Sequence, residues 1–324
     1  MTLLDADPSE GGGGAWDEDG SPAPASRPRP RDDNRWTLVR ETAANAMLIL
    51  AICLIGFVLW FAVVSRLHYD RVQVNAYANF RTSLAMATAP TGPLIPPPIT
   101  DPTGSNSLLA NGSAVGVLNI PQIGLTSVVF QGTTSAVLEG GPGHQRDTPM
   151  PGQVGVSVIF GRRTAYGGPF SRLPSLHVGD VFTVTTGQGV ATYRVIDLRR
   201  AGDLIPPYTA GSSRLVLVTA DGPPLAPTGV LDVDAELTSK PNAAPAMIIT
   251  PSDLGASEQA LGTNPNALIP VVLWGVLLLG FAALLAWARR RWGRWQCWIV
   301  AVPVAGFLGL SIADQVAQLL PNLM

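Results

Sequence analysis

Three stretches of the chain stay apolar long enough to cross a bilayer, which takes about 20 helical residues. They are Ala43–Val64, Leu268–Ala288 and a run from Gln296 to Leu320 that becomes more polar in its last turn. Between the first two the pattern changes to short apolar runs bounded by Gly and Pro: VGVLNI, SVVFQG, VGVSVIF, DVFTVTT, ATYRVIDL, RLVLVT and GVLDVDAEL. Seven or more short strands with no long helix predict an all-β barrel or sandwich over 115–239. The last run alternates, Leu231, Val233, Ala235 and Leu237 against Asp232, Asp234 and Glu236, which predicts one buried and one solvated face. Just after the first span, Tyr69, Val72, Tyr77, Phe80 and Leu84 recur at helical spacing and predict a short helix.

The remaining segments read as connections. Residues 1–36 are rich in Gly, Pro and charge and have too little apolar surface to order themselves. Residues 67–114 combine the juxtamembrane helix with a stiff Pro-rich linker, 240–266 form a second linker, and 289–295 a short Arg/Trp loop.

Charge orients this layout. Arg27, Arg29, Arg31, Arg35 and Arg40 precede the first span, and Arg289, Arg290, Arg291 and Arg294 separate the second span from the third. The positive-inside rule places both groups in the cytoplasm, hence the β domain outside, on a multi-pass protein of the plasma membrane. The first span starts too late and is too long for a cleaved signal, so it reads as an anchor. A formal net charge of −2 offers no field to attract nucleic acid. No cluster of His, Cys and carboxylates has metal-ligand spacing, and no phosphate-cradling loop precedes a helix, so neither metal nor cofactor is expected.

The run RLVLVTADG, 214–222, reads as a buried strand with a methyl group, Ala220, at the tip where such strands often present a working side chain. With VLNIPQIGLTSVVFQGT (117–133), LEGGPGHQRDTPMPGQVG (138–155), VIFGRRTAYGGPF (158–170) and LHVGDVFTVTTGQGVATYRV (176–195), it resembles sortases. These are membrane-anchored cysteine transpeptidases of Gram-positive bacteria, and the chain looks most like actinobacterial class E members. The resemblance implies a mainly β fold, a sortase-like closed β-barrel of about eight strands, here combined with three transmembrane helices.

It also implies a catalytic Cys, His and Arg, whose places fall on Ala220, Arg162 and about Val230. Two observations remove this chemistry without reference to an alignment. Cys53 and Cys297 are the only cysteines, both in expected spans, and there is no arginine from Leu215 to Ala288. Thiol acyl transfer needs a sulfur that leaves and returns, which alanine cannot supply. No cysteine remains for a disulfide in the outer domain either.

The expectation is thus a pseudo-enzyme, a binding or scaffolding subunit at the cell envelope with no catalytic residue. Its groove is drawn around Arg162, Arg163, Tyr166, Thr219 and Asp221, with Asp221 paired to Arg162 or Arg163 and with an extended peptide or envelope polymer as ligand. Its partners would be the bilayer and a membrane or cell-wall protein. Two alternatives stay open: a transpeptidase or hydrolase with a non-thiol nucleophile such as Thr219 or Asp221, and a plain structural anchor. His144 is expected either in a turn or exposed to solvent, and His177 in a structural place before the Gly179-Asp180 turn.

Overall fold

The computed structural model describes Arg40, Met47, Ala51 and residues 54–95, 107–223, 226–246, 248–288, 291 and 294–324. From Leu54 the chain is helical, passes through a π-helical turn at Trp60–Val64 and continues as helix α1, Ser65–Ala85. The β domain follows. Its strands are β1 (Ala114–Ile120), β2 (Leu125–Gln131), β3 (Gly143–His144), β4 (Gly155–Phe160), β5 (Val181–Thr186), β6 (Gly189–Arg199), β7 (Ser213–Asp221) and β8 (Gly229–Leu237). A short helix, α2 (Ser135–Gly140), sits between β2 and β3.

The eight strands close into a barrel in the order β8-β6-β5-β1-β2-β3-β4-β7, with β7 returning to β8. Closure removes the open edges that a sheet otherwise presents. All pairs are antiparallel except β2–β3 and β4–β7. The seven apolar runs supply seven of the strands. The eighth is the two-residue β3, too short to leave a periodic signal.

The barrel interior is filled by Leu118, Ile120, Val129, Phe182, Val184, Tyr193, Leu215, Leu217, Val233 and Ala235, all buried. Tyr193 keeps its hydroxyl satisfied there by accepting from the Gly152 amide at 2.6 Å. Strand β7 is buried on both faces, which is why it reads as a continuous apolar run. Leu215 and Leu217 face the interior, whereas Val216, Val218 and Ala220 pack outward against Leu138, Phe160 and Leu323.

Strand β8 departs from the alternation expected of it. Asp234 lies buried, because the Arg199 guanidinium folds over it at 2.5 Å and also reaches Asp232 at 3.3 Å. The acidic face is therefore roofed by an arginine from β6 and is solvated only in part. A register shift between Asp234 and Ala235 accompanies this pairing.

Among the described residues two helices, not three, are long and apolar enough to span a membrane: Pro265–Leu285 and Ile299–Leu319. The first comprises a 3-10 turn, Pro265–Ala267, and most of α3 (Leu268–Ala288), and the second lies in α4 (Arg294–Leu319). Of the expected first span, 43–64, residues 43–46, 48–50, 52 and 53 fall outside the described residues, and the continuous described part, Leu54–Val64, is shorter than a bilayer crossing needs. Helices α3 and α4 pack together, with Trp274 edge-on to Phe307 at 6.0 Å. Toward its end α4 turns Ala313 and Ala317 against Trp60, Ala165 and Tyr166, small residues that let it approach closely.

Candidate functional site

Strand β4 runs parallel to β7, pairing Phe160 with Val218, and the Gly161 amide donates to the Val218 carbonyl at 2.9 Å. Two residues beyond that pair lie Arg162, just past the end of β4, and Ala220 on β7. Across the antiparallel ladder β7–β8, Ala220 pairs with Val230. The three positions to which the sequence assigns lost chemistry thus meet at one end of three adjacent strands.

What they carry is not a reactive set. Ala220 is 3% exposed and offers only a methyl group. Arg162 is 0% exposed. Its Nη2 donates to the Ser135 carbonyl at 3.0 Å and to Ser135 Oγ at 2.7 Å, while Nε and Nη1 have no hydrogen-bond partner. Its guanidinium lies 4.9 Å from the centroid of the Tyr166 ring. Glu139, on α2, is its counter-charge. Burial pushes the Glu139 carboxyl up to about 7, against the pull of Arg162 and with a further push from Asp314.

The turn behind Arg162 is held by packing. A Cβ at Gly161 would collide with the buried ring of Phe170, so the chain can pass there only as glycine. Tyr166 has φ +51°, followed by Gly167 and Gly168, also left-handed. Such a conformation costs a tyrosine about 1–3 kcal/mol and persists only where neighbours impose it. Trp60, edge-on at 5.6 Å, and His68, at 6.0 Å, do so.

The other expected groove residues divide. Arg163 reaches the Ala220 carbonyl at 3.0 Å and Asp221 at 3.7 Å, so the ion pair with Asp221 is made by Arg163 and not by Arg162. A second arginine, Arg200, holds the same carboxylate at 2.9 Å. Thr219 leaves the group altogether. It shares the core face with Leu215 and Leu217, is fully buried, and donates its hydroxyl to the Gly161 carbonyl at 2.9 Å.

The place where a groove is expected is filled. Leu323 is 0% exposed in the apolar cluster with Leu138, Phe160 and Ala220, and its carbonyl accepts from the Arg163 amide at 2.9 Å. Burying such a side chain is worth about 2 kcal/mol. Sequence reasoning places no residue beyond α4 at this site and also misses Ser135 and Glu139. A single acid in an apolar helix with a Thr134 cap, TSAVLEG, is the one local hint.

His144 is buried in strand β3, neither in a turn nor exposed as expected for it. Its ring nitrogens meet Gln131 Oε1 and the Pro149 carbonyl, each at 3.0 Å, and burial pushes its pKa down to about 4. The strand pairing of β3 draws it inward. His177 is exposed and its amide donates to Asp180 at 2.8 Å. Among the described residues no three His, Cys, Asp or Glu side chains converge as metal ligands.

Comparison with known proteins accounts for the frame. A family model described as the sortase domain matches residues 118–227. Sortase D of Bacillus subtilis (strain 168) is 33% identical over 85 residues, which cover 26% of this chain and 41% of that protein. The chain thus spans about two fifths of the length of this relative. Among solved structures, a Clostridium perfringens sortase D5 transpeptidase is 21% identical, with 52% of this chain and 99% of that one covered and a TM-score of 0.41. Sortase C-1 from Actinomyces oris is 26% identical, covering 39% and 75%, with a TM-score of 0.35. Over residues 118–227 the barrel thus matches the sortase domain, and across that span the chain is similar to sortases.

Proposed function

We propose that this sortase domain binds without catalysing transpeptidation and serves as a membrane-anchored scaffolding subunit on the outer face of the cell envelope. One observation carries the reading. The tip of β7 holds the methyl group of Ala220, flanked by Val230 and a sealed Arg162, and the chain's only cysteines, Cys53 and Cys297, both belong to the expected spans. Acyl transfer through a thioester has no atom to begin from.

The environment of the substitute nucleophiles argues the same way. The Thr219 hydroxyl is fully buried and already donates to a carbonyl. Asp221 is held between Arg163 and Arg200, a stable arrangement for a carboxylate and a poor one for an attacking group. The arginine clusters around Arg35 and Arg290 support a cytoplasmic N-terminus and an extracytoplasmic barrel. A binding role would draw on a cell-wall or membrane protein as partner and on an extended peptide or envelope polymer as ligand.

The test is a transpeptidation assay on the full chain in detergent, with sorting-signal peptides and a wall amine. No product is expected. Turnover that disappears in Thr219→Ala or Asp221→Ala would overturn the reading.

A further inference from the structure

The segment after α4 enters the barrel's site in a manner unlike ordinary helix packing. Asn322 is fully buried, and its Nδ2 donates to the carbonyls of Thr133 and Gln259, each at 2.9 Å, and of Ser257 at 3.4 Å. Its amide donates to the Gly262 carbonyl at 2.9 Å. Leu323 then fills the apolar cluster beside Ala220 and accepts from the Arg163 amide. Main-chain hydrogen bonds at Asn322 and Leu323, together with an aliphatic side chain in an apolar pocket, are the two elements by which a groove reads a short peptide.

The receiving carbonyls belong to a built frame. Glu258, buried in the 255–262 segment, is gripped by Arg146 through Nε at 2.7 Å and Nη2 at 2.6 Å. The Glu258 carbonyl accepts from the Thr133 hydroxyl. The frame is thus tied to the barrel independently of Asn322.

The fit is incomplete. Asn322 Oδ1, and Nε and Nη1 of Arg162, are buried without a partner. An occupant that leaves buried polar atoms unmet is held less tightly than its buried surface alone would give.

We infer that the groove beside Ala220 is a binding site for a short peptide bearing a carboxamide followed by Leu, and that the chain's own Pro321–Met324 occupies it as an exchangeable internal ligand. This rests on the reading that the domain binds. The observation that places it is the pair of anchors, Asn322 in its cage of carbonyls and Leu323 under Ala220.

The test uses the full chain in nanodiscs and a fluorescent peptide of sequence QLLPNLM. In Leu323→Asp the Arg163 amide should exchange at least tenfold faster than in the parent, and the peptide should bind at least tenfold more tightly and restore the protection. Asn322→Ala, which removes the hydrogen bonds and no apolar contact, should give the same pattern at lower amplitude. Unchanged exchange at Arg163, or faster exchange with no peptide bound, overturns the inference. So does faster exchange throughout the barrel in both variants, which would make the segment part of the core. Turnover in the transpeptidation assay would overturn the proposed function and leave these exchange results standing, so the two failures are distinguishable.

Discussion

The Arg162 guanidinium stacks on the Tyr166 ring at 4.9 Å in a place closed to solvent. In the sortase frame this position is where the resemblance expects an imidazole. The arginine instead ties the turn after β4 to α2 through Ser135 and balances Glu139.

Arg162→Met should therefore cost little in acid and more in base. Below pH 7 Glu139 is largely protonated and needs no counter-charge, and replacing a buried ion by an apolar residue of similar volume is often neutral. Above pH 7 the variant must either protonate Glu139 or leave it uncompensated, a loss that protonation caps at about 2 kcal/mol at pH 8.5. Unfolding of the full chain in detergent at pH 5.5 and 8.5 measures the contrast, and an equal cost at both values would contradict it.

Glu139 and His144 should oppose one another in the pH dependence of stability. The Glu139 carboxyl is raised from 4.5 to about 7, so its contribution is full below pH 4.5 and is lost as pH rises through 7. The His144 imidazole is lowered from 6.5 to about 4, so its contribution is full above pH 6.5 and is lost as pH falls through 4. Relative to the parent, Glu139→Gln should gain stability between pH 4.5 and 7, and His144→Gln should lose it. Each slope is at most about 1.4 kcal/mol per pH unit. Denaturant midpoints at four pH values suffice, and slopes of the same sign would refute the pair of assignments.

Gly161→Ala should destabilise the barrel by about 3 kcal/mol, since the new methyl group collides with the ring of a buried Phe170 that has nowhere to move. Phe170→Leu in the same chain should recover part of the loss. A glycine kept only for flexibility would show neither effect.

The barrel was readable in sequence because its information is local. Alternation, Gly/Pro punctuation and the apolar run of β7 each lie within ten residues or so, and Ala220, Arg162 and Val230 meet because strand register carries them there. Thr219 could have been separated from Ala220 by parity alone, since neighbours on a strand face opposite ways. The burial of Asp234 and His144 could not, because it depends on which side chain of another strand closes over them. Least legible was the filling of the groove. Thr133 and Asn322 are 189 positions apart, and a Pro-Asn-Leu segment after an apolar helix looks like any helix end.

That separation also orders events during synthesis. Strand β8 ends at Leu237, so the barrel can close while residues 238–321 are still to be made. At roughly 5–20 residues per second, the interval is on the order of ten seconds. Throughout it the cluster that Val216, Val218 and Ala220 form with Leu138 and Phe160 lacks the Leu323 side chain that completes it. Each nascent chain thus folds its barrel before the residue that completes this cluster has been made.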